Sequence, residues 1–277
     1  MIVAALLAGL AALSPASAEI CRYDGVTTHA GHVVARTEVA AVGGVLIVDV
    51  TLALDASTWL FDVQYRVQEI STWRGGGLQS LAVNNRYGVD GHIRRQQWDV
   101  LTRGSAGLEA YRVQAKTLAE MQRRHPAFAR HWDSATFGQP WLQDYAAAAA
   151  ERRPDLDLPG TAMPPGLRPP LALAFYWSRR LPPGGETVPA FLPGFKQDAR
   201  LDVPFGAVAP GDGWRRWQAP VHHAALSAAP VSTTAAWVSP DGRLLQLAFD
   251  VHARQGSAQG TVRQQGCEGT PVPPPVN

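Results

Sequence analysis

The stretch Trp237-Val-Ser-Pro-Asp-Gly-Arg-Leu-Leu-Gln-Leu-Ala-Phe-Asp250 has the pattern of a β-hairpin. Its Pro-Asp-Gly segment is typical of a tight turn, because proline presets the backbone at the second turn position and glycine accepts a conformation that other residues resist. After the turn, polar or small residues alternate with a set of apolar ones, Leu245, Leu247, Phe249 and Val251. This alternation predicts a strand with one apolar face and one polar face.

The same alternation recurs on both sides of a central region. It predicts strands within 45–54, 59–67, 78–83, 93–100 and 108–113, and again within 171–178, 186–192, 199–203, 217–227, 233–253 and 261–265. Half-buried antiparallel strands require such alternation, and short glycine-containing links are typical of the turns between them. The sequence therefore predicts a mainly β protein with one large curved antiparallel sheet, a half-barrel or barrel of about ten strands.

The central region, residues 117–170, lacks the alternation and is rich in helix-forming residues and then in proline. Thr117 and Glu120 have the spacing of a capping box, which marks a helix start. We interpret 117–170 as a helical and loop insertion in a single β domain that spans residues 19–270. Residues 271–277 form a proline-rich segment that we expect to be disordered.

Residues 1–18 have the features of an export signal. An uncharged apolar run over residues 2–13 is too short to span a bilayer and is followed by the small-residue site Ala16-Ser17-Ala18. The alternative is a buried N-terminal helix. Export predicts a periplasmic or secreted protein, and no later stretch of the sequence is long and apolar enough for a transmembrane helix. The net charge of +2 is too small to favour nucleic acid as a partner.

The sequence contains two cysteines, Cys21 and Cys267. In an oxidising compartment they predict one disulfide that ties the two ends of the mature chain together. The alternative is two buried free thiols. Neither cysteine has the nearby second cysteine or histidine that a zinc or redox motif requires.

Aromatic residues concentrate on the apolar faces of the predicted strands. A curled sheet with an aromatic lining, covered by the insertion as a lid, would suit an apolar ligand. The alternative is that these rings belong to a solid core. The candidate ligand-binding residues are Trp59, Phe61, Tyr65, Phe175, Trp177, Trp237 and Phe249.

Four segments carry a family resemblance: Tyr23-Asp24-Gly25, Glu69 through Trp73-Arg-Gly-Gly-Gly-Leu78, Leu171–Ser178 with Leu181-Pro-Pro-Gly-Gly185, and the Trp237–Asp250 hairpin. In this order they resemble a group of exported bacterial proteins of unknown function. The looser relatives of that group are half-barrel lipid and lipoprotein handlers of the LolA, LppX and RseB type. The resemblance implies a half-barrel sheet and no established activity.

Candidate catalytic and metal-binding residues are few. His29 and His32 are three residues apart but have no adjacent third ligand, and the chain has no Gly-x-Ser-x-Gly nucleophile motif and no phosphate-binding glycine loop. We therefore predict no catalytic residue, no metal and no cofactor. The leading hypothesis is a non-enzymatic exported protein that binds an apolar, lipid-like molecule or an envelope partner. The alternatives are a periplasmic hydrolase that uses His222 or His223 with a carboxylate, and a structural or interaction module with a solid core.

Overall fold

The computed structural model describes residues 17–28, 31–57, 62–103, 107–132, 151–152, 158–159, 170–180, 186–191, 200–208, 215–221, 232–240, 242–253 and 256–274. The predicted mainly β fold is confirmed, because the strands form one 15-stranded antiparallel sheet. The strands are β1 (Ser17–Thr27), β2 (Gly31–Val42), β3 (Val45–Ser57), β4 (Asp62–Arg74), β5 (Gly77–Val89), β6 (His92–Arg103), β7 (Gly107–Ala115), β8 (Glu151–Arg152), β9 (Leu158–Pro159), β10 (Glu186–Phe191), β11 (Arg200–Val208), β12 (Arg215–Val221), β13 (Ser232–Val238), β14 (Leu244–Ala253) and β15 (Gly256–Gly269).

The sheet consists of two meanders joined by the pairing of its first and last strands. Strands β1 to β7 neighbour one another in chain order, and so do β10 to β15. Strand β15 then pairs with β1, so that Cys21 faces Cys267 in the register. These two cysteines form the predicted disulfide, which links the two meanders covalently.

The hairpin between β13 and β14 is present at the quoted stretch. The Ser239 N–H donates to the Arg243 carbonyl at 2.9 Å, and the Gly242 N–H donates to the Ser239 carbonyl at 2.9 Å. Gly242 has φ of +82°, a conformation that glycine adopts without strain. A register shift at Trp237/Val238 brings Leu244 opposite Val238, and both of these side chains are buried.

Different segments cover the two faces of the sheet. We call the inner face the one that packs against helix α2 (Pro170–Phe175) and the following 3-10 helix, Trp177–Arg180. Helix α1 (Leu118–Arg124) and the 3-10 helix Pro126–His131 cover the outer face. There the ring of Phe128 meets Trp98 of β6 edge to face at 4.8 Å between centroids. Parts of β4, β5 and β6 are therefore buried on both faces.

The insertion begins as the sequence predicts. Thr117 Oγ1 accepts a hydrogen bond from the Glu120 N–H at 3.2 Å, and Glu120 Oε2 accepts one from the Lys116 N–H at 2.8 Å. These bonds satisfy backbone donors at the start of α1. Farther on, the insertion adds the short strands β8 and β9, which both pair with β7. None of the described helices is both long and apolar enough to cross a bilayer.

The predicted strand within 171–178 is wrong, because this segment is helix α2 followed by a 3-10 helix. Its residues are apolar on all sides, so a two-residue alternation of larger and smaller side chains does not distinguish a strand from a buried helix. Pro170 occupies the first helical position, which proline favours, and Ala172 and Ala174 are good helix formers.

The C-terminal segment differs from the prediction at its start. Val272 packs into the inner cluster, and its N–H donates to Glu19 Oε2 at 3.3 Å. The apolar Val272 side chain thus anchors residues that the proline content alone predicts to be disordered. Residues 275–277 lie outside the described part.

Candidate ligand-binding site

One end of the inner face is filled by the segment 170–180, which we call the plug. The Phe175 ring meets Tyr23 of β1 at 5.3 Å between centroids, and the Trp177 ring meets Trp73 of β4 at 5.2 Å. Phe175 and Trp177 are both buried. These two predicted ligand-binding residues therefore belong to the core, where edge-to-face packing holds the plug against the sheet.

A buried carboxyl group holds the start of the plug. Glu69, on the inner face of β4, is 2% exposed. Its Oε1 accepts a hydrogen bond from the Ala172 N–H at 2.6 Å, and its Oε2 accepts one from the Leu171 N–H at 3.2 Å. Burial raises the pKa of Glu69 to about 7 in spite of these two donors, which lower it.

A buried ion pair holds the end of the plug. Arg179 Nη1 donates to Glu19 Oε2 of β1 at 2.7 Å, and both side chains are almost fully buried. Arg179 Nη2 also lies 3.8 Å from Cys21 Sγ, beside the disulfide. The plug is thus tied to β4 at one end and to β1 at the other, across the inner face.

Beyond the plug, the same inner face carries apolar side chains that are incompletely covered. On β3, Val48 and Val50 are fully buried, whereas Leu52 and Leu54 are half-buried. Tyr65 of β4 and Phe249 of β14 are also half-buried against the inner cluster. We call these four half-buried side chains, Leu52, Leu54, Tyr65 and Phe249, the open inner face.

A group of polar side chains adjoins the open inner face on strands β5, β6 and β7. We call it the polar band, and it consists of Asn85, Arg95, Gln97, Asp99, Arg112 and Gln114. The register places four of these residues in cross-strand rows with the open inner face, whereas Asp99 and Arg112 belong to the preceding row, which contains Val50 and Glu69. Leu52, Val67, Asn85, Gln97 and Gln114 form one row, and Leu54, Tyr65, Tyr87 and Arg95 form the next.

The centre of the polar band is a bidentate ion pair. Arg112 donates from Nε to Asp99 Oδ1 at 2.5 Å and from Nη2 to Asp99 Oδ2 at 3.1 Å. Gln97 donates to the same carboxylate, so Asp99 accepts bonds from two side chains. Arg112 is 7% exposed and Asp99 is 3% exposed. A pair of this geometry, once buried, fixes the positions of both side chains.

The second arginine of the band is reachable from solvent. Arg95 donates from Nη2 to Gln97 Oε1 at 2.5 Å and to Gln114 Oε1 at 3.3 Å. Partial desolvation, followed by the charge of Arg112, lowers the pKa of Arg95. Among the described residues, no carboxylate lies within ion-pair distance of Arg95. Of the six residues of the band, two carry a guanidinium group and one a carboxylate, and in the register Glu151 of β8 lies opposite Arg112.

The other predicted site residues have different positions. Trp237 lies on the outer face, because its neighbours Ala236 and Val238 belong to the inner cluster. Trp59 and Phe61 lie outside the described residues. Tyr65 and Phe249 thus share the inner face, on strands that are five positions apart in the sheet, and Trp237 lies on the opposite face.

The predicted histidine candidates do not form a described site. His32 Nε2 lies 2.7 Å from Asp24 Oδ1 at the surface, whereas His29, His222 and His223 are outside the described residues. In the described part, Glu19 is the acidic group close to both cysteines. Because the two sulfur atoms are bonded to each other, they are not thiolate ligands for a metal.

Comparison with known proteins shows the fold. No family model and no curated protein matches the chain. The chain is similar to a solved structure from Brucella abortus described as a β-barrel-like protein of a domain of unknown function, DUF1849. The TM-score is 0.52 at 8% identity, and the similarity covers 94% of this chain and 100% of that one. At this identity the likeness shows a β-barrel-like fold of unknown function.

Proposed function

We propose that this protein is exported and binds an apolar, lipid-like molecule on the open inner face. The main support for the proposal is that the solvent exposure of the inner-face side chains changes along β3. Val48 and Val50 are fully buried under the plug, whereas Leu52 and Leu54 are half-buried on the same face. Covering such apolar surface is favourable by about 25 cal/mol per Å², so a ligand with an apolar chain gains free energy there.

The plug forms a fixed boundary of this site. Glu69 and the Glu19–Arg179 pair hold it at both ends, so the apolar rows beyond it keep their shape without a ligand. A preorganised apolar surface with polar groups at one side is typical of small-molecule sites. The resemblance to half-barrel lipid and lipoprotein handlers favours the same class of ligand.

Export is part of the proposal. Removal of residues 1–18 would leave β1 to begin at Glu19, whose side chain holds the plug through Arg179. The disulfide between Cys21 and Cys267 suits an oxidising compartment such as the periplasm. Fractionation of cells that produce the full chain tests this point. We expect a mature protein that starts at residue 19 in the exported fraction, and an uncleaved protein in the cytosol would contradict it.

Ligand binding is tested by lipid analysis and by titration with a fluorescent fatty acid. We expect lipids to co-purify with the natively prepared protein. Leu54→Gln should weaken probe binding by about tenfold, because it places a polar amide against the apolar chain. Val26→Gln is the matched control, since Val26 is an apolar residue of β1 that is 67% exposed on the outer face. Absence of both co-purified lipid and probe binding would contradict the proposal, as would equal weakening by the two variants.

A further inference from the structure

We propose that the polar band binds the anionic head group of an amphiphile whose apolar chain lies on the open inner face. This inference rests on the proposed function and specifies the class of ligand. The head group is a carboxylate or a phosphate, and the ligand is recognised at both ends.

The charge of Arg95 favours an anionic ligand. Arg112 and Asp99 neutralise each other in a bidentate pair, which leaves the charge of Arg95 without a carboxylate partner among the described residues. Arg95 is held towards the inner face by the amide oxygens of Gln97 and Gln114. The charge of Arg112 acts on Arg95 more strongly than the opposite charge of Asp99, so an anion beside Arg95 would be attracted and would form charge-assisted hydrogen bonds.

The position of Arg95 suits a ligand that also contacts the apolar rows. Arg95 and Tyr65 belong to the same cross-strand row, with Tyr87 between them. Neighbouring strands lie about 4.8 Å apart, so the backbones at Arg95 and Tyr65 are separated by about 10 Å. Tyr87 is 37% exposed, which leaves the surface between them accessible. A single amphiphile can therefore reach the arginine with its head group and the apolar rows with its chain.

Arg95 is accessible to solvent and lies in the same band as a buried ion pair. The Asp99–Arg112 pair is buried and forms the fixed part of the band, whereas Arg95 is exposed to solvent. A guanidinium group presents a planar set of N–H donors that matches carboxylate and phosphate oxygens. The polar band thus combines a fixed ion pair with an available donor for an anion.

The test compares an anionic probe with its neutral counterpart. We would titrate the full-length mature protein with cis-parinaric acid and with its methyl ester at about pH 8, where the acid is ionised. The wild-type protein should bind the acid at least about tenfold more tightly than the ester, as expected for a charge-assisted hydrogen bond. Arg95→Gln should abolish this preference and leave ester binding unchanged, whereas Arg95→Lys should retain most of it.

Arg94→Gln is the matched control, because Arg94 is the neighbouring exposed arginine of the same strand. It should leave the preference unchanged, and circular dichroism would verify that each variant is folded. Competition by oleate or by lysophosphatidate identifies a carboxylate or a phosphate head group, and displacement by either supports the inference. Equal binding of acid and ester to the wild-type protein, or a preference that survives Arg95→Gln, would overturn it. Failure of both probes to bind would overturn the proposed function as well.

Discussion

Replacing Glu69 by glutamine should change how the stability of the protein depends on pH. The carboxyl group is buried at the start of the plug and accepts hydrogen bonds from the N–H groups of Leu171 and Ala172. Glutamine has almost the same shape as the protonated acid and no charge. The variant is uncharged at every pH, while the wild-type side chain ionises as pH rises. Because the glutamine NH2 group cannot accept an N–H bond, the variant loses one of the two hydrogen bonds, and this loss does not depend on pH.

The sign and size of the effect follow from the pKa. Burial raises the pKa of Glu69 from 4.5 to about 7 in the folded protein. A raised pKa means that the contribution of this group to stability is fully present below about pH 4.5 and is lost as pH rises through about 7. A shift of one pKa unit corresponds to about 1.4 kcal/mol, so the shift from 4.5 to about 7 makes this loss about 3 kcal/mol. The Glu69→Gln variant does not undergo this loss.

The assay is denaturant unfolding of the oxidised protein at several pH values between about 4.5 and 8. The free energy of unfolding of Glu69→Gln, relative to the wild type, should rise by about 3 kcal/mol across this range. Asp49→Asn should behave similarly, because burial raises the pKa of Asp49 to about 7 on the outer face. The control is Glu268→Gln, since Arg22 lowers the pKa of that exposed carboxyl group. A constant difference between Glu69→Gln and the wild type would refute the reasoning.

Three further predictions concern stability and are checked by urea or thermal unfolding. Arg179→Met should lower the free energy of unfolding by about 3–5 kcal/mol, because it leaves Glu19 buried without its charged partner, and a loss below about 1 kcal/mol would argue against the buried pair. Phe128→Ala should lower the free energy of unfolding by about 3–5 kcal/mol, because it opens a cavity beneath the 3-10 helix. An unchanged melting temperature would mean that this helix does not cover the outer face. Reduction of the Cys21–Cys267 disulfide should lower the free energy of unfolding by up to about 5 kcal/mol in the chain-entropy model, because the bond joins residues that are 246 positions apart in the sequence. Equal stability with and without reductant would contradict this prediction.

The sheet could be predicted from the sequence because its strands keep a two-residue period. On β2 the burial alternates from Gly31 to Val39, as a half-buried strand requires. The plug could not be predicted in this way, since a helix enclosed by a sheet is apolar on all sides. Pro170 at the first helical position is a local indication of a helix, and a period of two in a short apolar run is compatible with either a strand or a buried helix.

The open inner face was predicted in part, and the polar band was missed. Tyr65 and Phe249 belong to alternating apolar rows, so their side of the strand could be predicted. On β6 the pattern misleads, because Arg95, Gln97 and Asp99 share one face and have the composition of a solvent-exposed side. That face is the inner one, since the insertion covers the opposite face with Phe128 and its neighbours. A sequence pattern gives the two faces of a strand, but tertiary packing decides which of them faces the interior.

The most direct test of the account is methyl NMR spectroscopy of the mature protein in the presence of a spin-labelled fatty acid. The central claim is that apolar side chains beyond the plug remain open to a ligand while those beneath it are sealed. We predict strong broadening of the methyl signals of Leu52 and Leu54, with the signals of Val48 and Leu81, which are fully buried, much less affected. Unchanged signals for Leu52 and Leu54, or equal broadening of all four residues, would contradict the claim.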